Sequence, residues 1–258
     1  MNREKDIKIS YQFSNHLILS TKRKLCASIP VMEDINDSKD LLLTTNKIDE
    51  ALNKGADIIE CRFDYLSNFE NLDHYLDILS RYKDKCIYTI RPENEGGKFS
   101  NDPKKRAEII DNFIHRKPLF VDIEYKLISS NDFIADLVEN ENTQILVSWH
   151  DFSQTPEFGY LLEQVKNMQI YSPLVKIVTT AKSIDDSIRI LSLYSSIDTH
   201  INLVAFALGD KGVLSRVLCT VVGDAPFTYA SVGAALAPGQ LSIDQMKSIY
   251  DLFKSKLI

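Results

Sequence analysis

Charged and titratable residues recur at the ends of short apolar segments in this sequence. Lys176 interrupts LVKIVTTA, a run of β-branched and aliphatic residues typical of a strand buried on both faces. His150 ends TQILVSWH, and Arg91 ends KCIYTIR, four residues before Glu95. Lysine is rarely buried unless its ammonium is in an ion pair or the residue takes part in function. Taken alone, Lys176 would also fit an edge strand that leaves its ammonium in water.

A second charged set lies in the segment DIIECRFDY. Strand alternation places Glu60, Arg62 and Asp64 on one face, with Cys61 and Phe63 on the other. If the apolar pair packs against helices, the charged face points into the interior of the molecule. Singly, Glu60 and Arg62 could also be a structural ion pair.

These residue types together support imine chemistry. Burial and neighbouring positive charge favour the neutral form of an amine, and a neutral Lys176 could attack a ketone to form a Schiff base. His150 could then remove a proton near neutral pH, with Glu95 orienting its ring. Glu60 could accept hydrogen bonds from substrate hydroxyls. Arginines bind carboxylates bidentately, and the candidates for that role are Arg62, Arg91 and Arg216.

Each assignment has a structural alternative, and other chemistries lack their motifs. His150 could be a core histidine, and Arg216 could be a charge on a helix surface. The sequence contains no GxGxxG, GxxxxGK[ST], HExxH or GxSxG pattern. The argument for a site therefore rests on the recurrence of these residues at segment ends.

The elements that must position them alternate between strand and helix. Eight strand candidates are separated by helical segments, which favours a single-domain α/β fold, a (β/α)8 TIM barrel over residues 24–258; an open doubly wound sheet is the alternative. In such barrels the active site lies at the carboxyl ends of the strands. Residues 1–23 are predicted as an extension, either a hairpin closing the barrel floor or partly disordered. The predicted strands are 24–31, 57–65, 85–91, 118–125, 143–150, 174–181, 200–208 and 226–231.

Helix boundaries have their own signals. Gly55 suits a helix C-terminus. Asp102 suits an N-cap before Pro103 at the first helical position. Ser183 and Asp186 have the spacing of a capping box.

Composition and charge argue against several classes of protein. The chain has 258 residues, 44% of them hydrophobic and 26% charged, with a net charge of −6. Without a basic excess, nucleic-acid binding is not expected, and no apolar stretch is long enough to predict a membrane span. The four cysteines show no metal-ligand spacing, so we expect a reducing cytoplasm, no disulfides and no metal.

Eight segments, in order, resemble one family, the type I 3-dehydroquinate dehydratases. The resemblance runs from about residue 24 to residue 245. It implies a (β/α)8 barrel that converts 3-dehydroquinate to 3-dehydroshikimate in the shikimate pathway, needs no cofactor and commonly forms a homodimer. The segments that carry it are CASIPV, ECRFDYL, TIRPENEGG, SWHDF, VKIV, GVLSR, FTYAS and APGQLS.

The resemblance also implies residue roles. Lys176 would form the imine with the C3 carbonyl, His150 would act as general base and then acid, and Glu95 would orient the histidine. Arg216 would bind the substrate carboxylate, and Gln240 would lie on a loop that closes over the substrate. The remaining substrate-contacting positions are Ser28, Glu60, Arg62 and Arg91.

The chain departs from the family pattern in two places, and two other functions are alternatives to the one that the resemblance implies. Leu236 replaces a serine that many relatives carry, and Phe206 and Leu208 stand where some carry methionines. A class I aldolase acting on a sugar phosphate would need a backbone phosphate cradle, which is thin in a chain with nine glycines. A non-catalytic binding module would be expected to lose Lys176 or His150.

Overall fold

The computed structural model of the chain describes residues 23–34, 40–100, 102–140 and 144–256. The predicted N-terminal hairpin falls on residues 1–23 and therefore lies outside the described residues, apart from Arg23. Among the described residues, eight parallel strands and nine α-helices follow one another along the chain.

Every predicted strand is present. Their hydrogen-bonded order is β7-β6-β5-β4-β3-β2-β1-β8, a nearly closed barrel rather than an open doubly wound sheet. The strands are β1 (Leu25–Pro30), β2 (Ile58–Arg62), β3 (Cys86–Thr89), β4 (Phe120–Glu124), β5 (Ile145–His150), β6 (Leu174–Thr180), β7 (Asn202–Leu208) and β8 (Thr228–Ala230).

The helices lie between the strands and after the last one. They are α1 (Leu42–Lys54), α2 (Leu72–Leu79), α3 (Pro103–Arg116), α4 (Tyr125–Ser130), α5 (Asp132–Asn140), α6 (Phe158–Met168), α7 (Ile184–Leu191), α8 (Val213–Val222) and α9 (Ile243–Lys256). The connection from β4 to β5 holds two short helices because Asn131 adopts an extended conformation (φ −129°, ψ 100°) between them.

The predicted helix ends are confirmed. Gly55 ends α1 in the left-handed conformation at φ 97°, which costs glycine little. The Asp102 side chain accepts a hydrogen bond from the Lys105 backbone at the start of α3. Ser183 and Asp186 form a reciprocal capping box on α7.

Strand alternation sorts the barrel interior into layers. Five consecutive strands, β2 to β6, each contribute one buried apolar residue near the amino end; we call these the floor layer. Two residues later on each of these strands stands a polar residue. The floor layer consists of Ile58, Ile87, Phe120, Leu146 and Leu174, and the polar layer above it of Glu60, Thr89, Asp122, Ser148 and Lys176.

The opposite faces of the strands form the main core with the helices. Cys61 and Phe63 are both fully buried there, as their place in the alternation predicts. The Phe63 ring packs against Tyr88 on β3 and Phe113 on α3, with centroids 5.1 and 4.6 Å apart. This packing turns Glu60 and Arg62 towards the barrel axis.

The described part of the chain contains no helix long and apolar enough to cross a membrane. All four cysteines are free and buried.

Candidate active site

A cavity of about 240 Å³ opens at the carboxyl ends of the strands. The loop after β8 borders it, with Leu236, Ala237 and Pro238 in its wall. All nine residues predicted for the site line this cavity, namely Ser28, Glu60, Arg62, Arg91, Glu95, His150, Lys176, Arg216 and Gln240.

Lys176 lies inside the barrel on β6, with 4% of its surface exposed. Its Nζ is 3.2 Å from Glu60 Oε1 and 3.2 Å from Asp122 Oδ2. It also lies 4.5 Å from the centroid of the Tyr229 ring. As predicted, arginines line the same cavity as Lys176. The prediction missed the carboxylates, which are the charged groups within hydrogen-bond distance of Nζ. The edge-strand alternative is excluded, because β6 pairs with both β5 and β7.

Glu60 is held on both of its oxygens. The Ser28 hydroxyl donates to Oε2 at 2.6 Å, and the Tyr229 hydroxyl donates to Oε1 at 3.2 Å. Burial alone would raise the pKa of Glu60, but the charges of Lys176 and Arg62 lower that pKa below its ordinary value. Glu60 is therefore ionised beside the lysine.

Asp122 is the second carboxylate on Lys176. Arg91 Nη2 donates to its Oδ2 at 2.6 Å, and the Ser148 hydroxyl donates to its Oδ1 at 2.6 Å. Burial opposes ionisation, yet Arg91 and Lys176 hold the pKa of Asp122 well below its usual range. Asp122 is therefore ionised at neutral pH.

Arg91 is bonded to the protein at both terminal nitrogens. Nη1 donates to Glu124 Oε1 at 2.8 Å and to the Ser148 hydroxyl at 2.8 Å, while Nη2 is bound to Asp122. The residue is 3% exposed. Its guanidinium borders the cavity but is already neutralised by carboxylates of β4.

His150 forms a dyad with Glu95. The histidine Nδ1 lies 3.1 Å from Glu95 Oε2, and the Phe152 ring stacks on the imidazole with centroids 5.8 Å apart and an 8° angle between the planes. Burial, followed by the charges of Arg91 and Lys176, lowers the pKa of His150 well below its ordinary value. The imidazole is therefore neutral near pH 7, as a general base must be.

Glu95 titrates in the neutral range. Its burial raises its pKa to about 7, although the nearby Arg91 guanidinium, 3.9 Å away, acts in the opposite direction. The charge of the dyad therefore changes within the physiological range.

Arg216 differs from every other charged residue of the cavity. It stands on α8, 1% exposed, with its Cζ 4.3 Å from the centroid of the Phe206 ring. Its Nε and Nη2 have no hydrogen-bond partner among the described residues. Burial lowers the pKa of Arg216 to about 10, so it remains charged at neutral pH. A buried guanidinium with unused donors is suited to an anionic ligand.

Arg62 is the third arginine that lines the cavity. Its Nε and Nη2 both donate to the Asp64 carboxylate at 2.8 Å. Asp64 lies beyond the end of β2, in a 3-10 turn, so the predicted alternation ends at Arg62. The same carboxylate also accepts backbone hydrogen bonds from Arg91 and Lys98.

The loop after β8 is fixed to the loop after β7. The Gly209 backbone N–H donates to the Pro238 carbonyl at 3.1 Å. Gly239 has φ 72°, and a Cβ there would lie 2.4 Å from the Gly209 carbonyl oxygen, so the contact requires glycine. Within the loop, Gln240 Oε1 accepts the Leu236 backbone N–H at 2.9 Å.

Several residues of the site were missed by the sequence analysis. Asp122 and Ser148 lie in the polar layer, and Glu124 lies two residues above Asp122. The period-two spacing of DIE in PLFVDIEY was the available signal, since it resembles that of ECR on β2. Tyr229, in FTYAS, carried no such signal because a tyrosine is common in strands.

Among residues 23–34, 40–100, 102–140 and 144–256, no group of three or more His, Cys, Asp or Glu side chains is arranged to hold a metal ion. The absence of a metal requirement stays a prediction.

The family profile described as "Type I 3-dehydroquinase" matches residues 37–256, most of the chain. The chain belongs to the type I 3-dehydroquinase family.

Relatives agree with this assignment along nearly their whole length. The 3-dehydroquinate dehydratase of Pyrococcus abyssi is 33% identical over 213 residues, which cover 81% of this chain and 94% of that protein. The enzyme of the same name from Methanococcus maripaludis strain C5 is 35% identical over 231 residues, or 88% and 99% of the two chains.

The fold of this chain also matches that of a solved 3-dehydroquinate dehydratase. The crystal structure of 3-dehydroquinate dehydratase from Geobacillus kaustophilus superposes with a TM-score of 0.79 at 23% identity, covering 93% of this chain and 94% of that one. As a member of the type I 3-dehydroquinase family, the chain is a hydro-lyase.

Proposed function

We propose that this chain dehydrates 3-dehydroquinate to 3-dehydroshikimate through a Schiff base on Lys176. The observation that supports this most directly is one cavity lined by a buried lysine, a neutral histidine and an arginine with unused donors. A ketone, an acidic C–H bond and a carboxylate in one small molecule would satisfy these three groups together.

The first step joins substrate and enzyme. Attack requires the free amine, so the ammonium proton of Lys176 must leave first; the groups in contact with Nζ are Glu60 and Asp122. The amine adds to the C3 carbonyl, a C–N bond forms, and the carbonyl oxygen departs as water. The resulting iminium draws electrons from the neighbouring carbon and makes its C–H bond acidic.

His150 then carries out the elimination. Its neutral imidazole removes the proton from C2, and the electron pair is held as an enamine with the lysine nitrogen. The C1–O bond breaks as the imidazolium returns its proton to the departing hydroxyl, which leaves as water. Hydrolysis of the iminium releases the product and restores the lysine. The net change is the loss of one water molecule.

The remaining residues hold the substrate and the base. Glu95 bonds to Nδ1 of His150 and stabilises the imidazolium that forms during the reaction. Arg216 binds the substrate carboxylate with the nitrogens that the described protein leaves free. The substrate hydroxyls and the ring are contacted by Ser28, Glu60, Arg62, Arg91 and Gln240, all of which line the cavity.

Three further statements rest on the sequence: the pathway and the dimer on the family resemblance, and the cytoplasmic location on the four cysteines, which show no metal-ligand spacing. We propose that the enzyme acts in the shikimate pathway, that it is a homodimer, and that it is cytoplasmic.

Borohydride trapping tests the proposal. Sodium borohydride added with 3-dehydroquinate should reduce the iminium, inactivate the enzyme and add one ligand mass at Lys176, as read by peptide mass spectrometry. Borohydride without substrate is the control and should leave both mass and activity unchanged. Labelling of a different lysine, or an active enzyme that is never labelled, would overturn the assignment.

The His150→Ala variant separates the two roles. It should lose about 10²–10⁴-fold in kcat, because it lacks the general base. It should still be labelled at Lys176, because attack by the amine does not require the imidazole. A variant that keeps more than a tenth of wild-type kcat would place the base elsewhere.

A further inference from the structure

A continuous row of ion pairs leads from the helix layer to the catalytic lysine. Arg106 Nη2 on α3 donates to Glu124 Oε2 at 2.6 Å, and Arg91 Nη1 donates to the other oxygen, Oε1, at 2.8 Å. Arg91 Nη2 is bound to Asp122, whose Oδ2 also contacts Lys176 Nζ. Every member is at least nine-tenths buried.

Glu124 is shared between two guanidinium groups. Its own burial raises its pKa, and the charges of Arg91 and Arg106 oppose that rise. Without Arg106, Oε2 would be a buried acceptor with no partner, which favours protonation of Glu124 or a shift of Arg91 towards it. Either change alters the contact between Arg91 and Asp122, one step from Lys176.

Arg106 also stands near the dyad. It lines a second cavity, of about 270 Å³, which Glu95 also lines. Glu95 borders both cavities.

The charges around Glu95 come from several elements. Arg91 faces it from the end of β3, and His150 faces it from β5. The negative charges of β4, Glu124 and Asp122, raise the pKa of Glu95, whereas Arg91 and Arg106 lower it. The second cavity adds Asp102 and Lys126 to these groups.

We infer that Arg106, on α3, is a positioning residue of the reaction: it fixes Glu124 and, through it, Arg91 against Asp122, and it places a positive charge near Glu95, with which it lines the second cavity. Arg106 acts through other residues and needs no contact with the substrate. The inference rests on the proposed roles of Lys176 and His150.

The pH dependence of kcat tests this inference. In wild type, kcat should rise with pH as Glu95 ionises, with a midpoint near 7. In Arg106→Gln a positive charge is lost beside a carboxylate, so the midpoint should move up by about half a pH unit or more. At pH 7, kcat should then fall by about twofold or more, and at pH 9 it should be within about twofold of wild type. KM should change by less than about twofold, since Arg216 is untouched.

Three other variants complete the test. Arg106→Lys keeps the charge and should bring the midpoint back towards wild type. Glu124→Gln, which is nearly isosteric, removes a negative charge near Glu95 and should move the midpoint down, the opposite direction. Arg116→Gln is the matched control, because the half-buried Arg116 also lies on α3 and pairs with two exposed aspartates, Asp73 and Asp77; it should match wild type.

The outcomes are distinct. A kcat lowered equally at all pH values in Arg106→Gln, or equal midpoints in Arg106→Gln and Arg106→Lys, would show a purely structural role and overturn the inference. If Arg106→Gln does not fold, an unchanged or raised midpoint in Glu124→Gln overturns it instead. Failure of borohydride to label wild-type Lys176 would overturn the proposed function itself.

Discussion

The two sides of the cavity treat a buried arginine in opposite ways. On the side built by β2 to β6, Arg91 is bonded to two carboxylates and a serine hydroxyl. On the side built by β7, α8 and the loop after β8, Arg216 lies over the Phe206 ring with two nitrogens unpartnered among the described residues. Both side chains are almost completely buried.

The difference shows that burial of a charge does not by itself define its role. A guanidinium surrounded by carboxylates is neutralised, holds those carboxylates in place and has fewer donors left for a ligand. A guanidinium over an aromatic face is desolvated but keeps its charge and its donors for an incoming anion. The two arginines should therefore respond differently to the same substitution.

The largest effect is expected for Arg91→Met. Removing this guanidinium leaves Asp122 and Glu124 as buried carboxylates with fewer partners, which should lower the free energy of unfolding by about 3–5 kcal/mol. Urea unfolding at pH 7 measures this. Arg189→Met, at a half-buried ion pair with Asp186, is the control and should lose much less. A loss below about 1 kcal/mol in Arg91→Met would remove the distinction between the two arginines.

Arg216→Met should leave stability unchanged or raised, because it removes donors that have no partner in the described free enzyme. It should raise KM by about 10- to 100-fold, since a charge-assisted hydrogen bond contributes about 1.5–3 kcal/mol. Steady-state kinetics and urea unfolding on the same preparation measure both. Destabilisation as large as that of Arg91→Met would mean that Arg216 is structural.

The pH dependence of kcat and that of KM should differ, because each depends on a different side of the cavity. Deprotonation of Glu95, with a pKa of about 7, gives the dyad its negative charge, so kcat should fall as pH drops below 7. KM should stay flat between pH 6 and 9, because burial lowers the pKa of Arg216 only to about 10 and it remains charged. In Glu95→Gln this acid limb of kcat should disappear. Its persistence in that variant would assign the limb to another group.

The smallest effect is expected in the loop after β8. Gln240→Ala should raise KM by about tenfold at most, the loss of one neutral hydrogen bond of about 0.5–1.5 kcal/mol. Leu236→Ser should be tolerated and should lower KM slightly by adding a polar contact. An unchanged KM in Gln240→Ala, or a collapse of kcat in Leu236→Ser, would show that this loop does not cover the substrate.

The fold was predictable because each strand carries a local signal. The run LVKIVTTA at 174–181 predicts β6 (Leu174–Thr180) almost to the residue. The segment 57–65 was predicted too long, because its alternation continues through Asp64 while the backbone already turns after Arg62. The break at Asn131 depends on a backbone conformation that composition does not specify.

The site was predictable in its residues and less so in its contacts. Lys176 and His150 are visible as polar residues in apolar runs, which is a property of one segment. That Lys176 meets Asp122 rather than an arginine depends on how distant strands are placed around the barrel. Such pairing joins residues far apart in sequence, and a single sequence does not record it.

The apolar floor layer below Lys176 limits where reactant and product can enter and leave the barrel. Ile58, Ile87, Phe120, Leu146 and Leu174 fill the barrel below the polar layer, so the amino-terminal side offers no passage through these strands. Among the described residues, the substrate cavity opens at the carboxyl ends of the strands, where Leu236 and Gln240 line it, so reactant and product should share this opening. Departure of one molecule therefore precedes arrival of the next, and the product should compete directly with the reactant for entry.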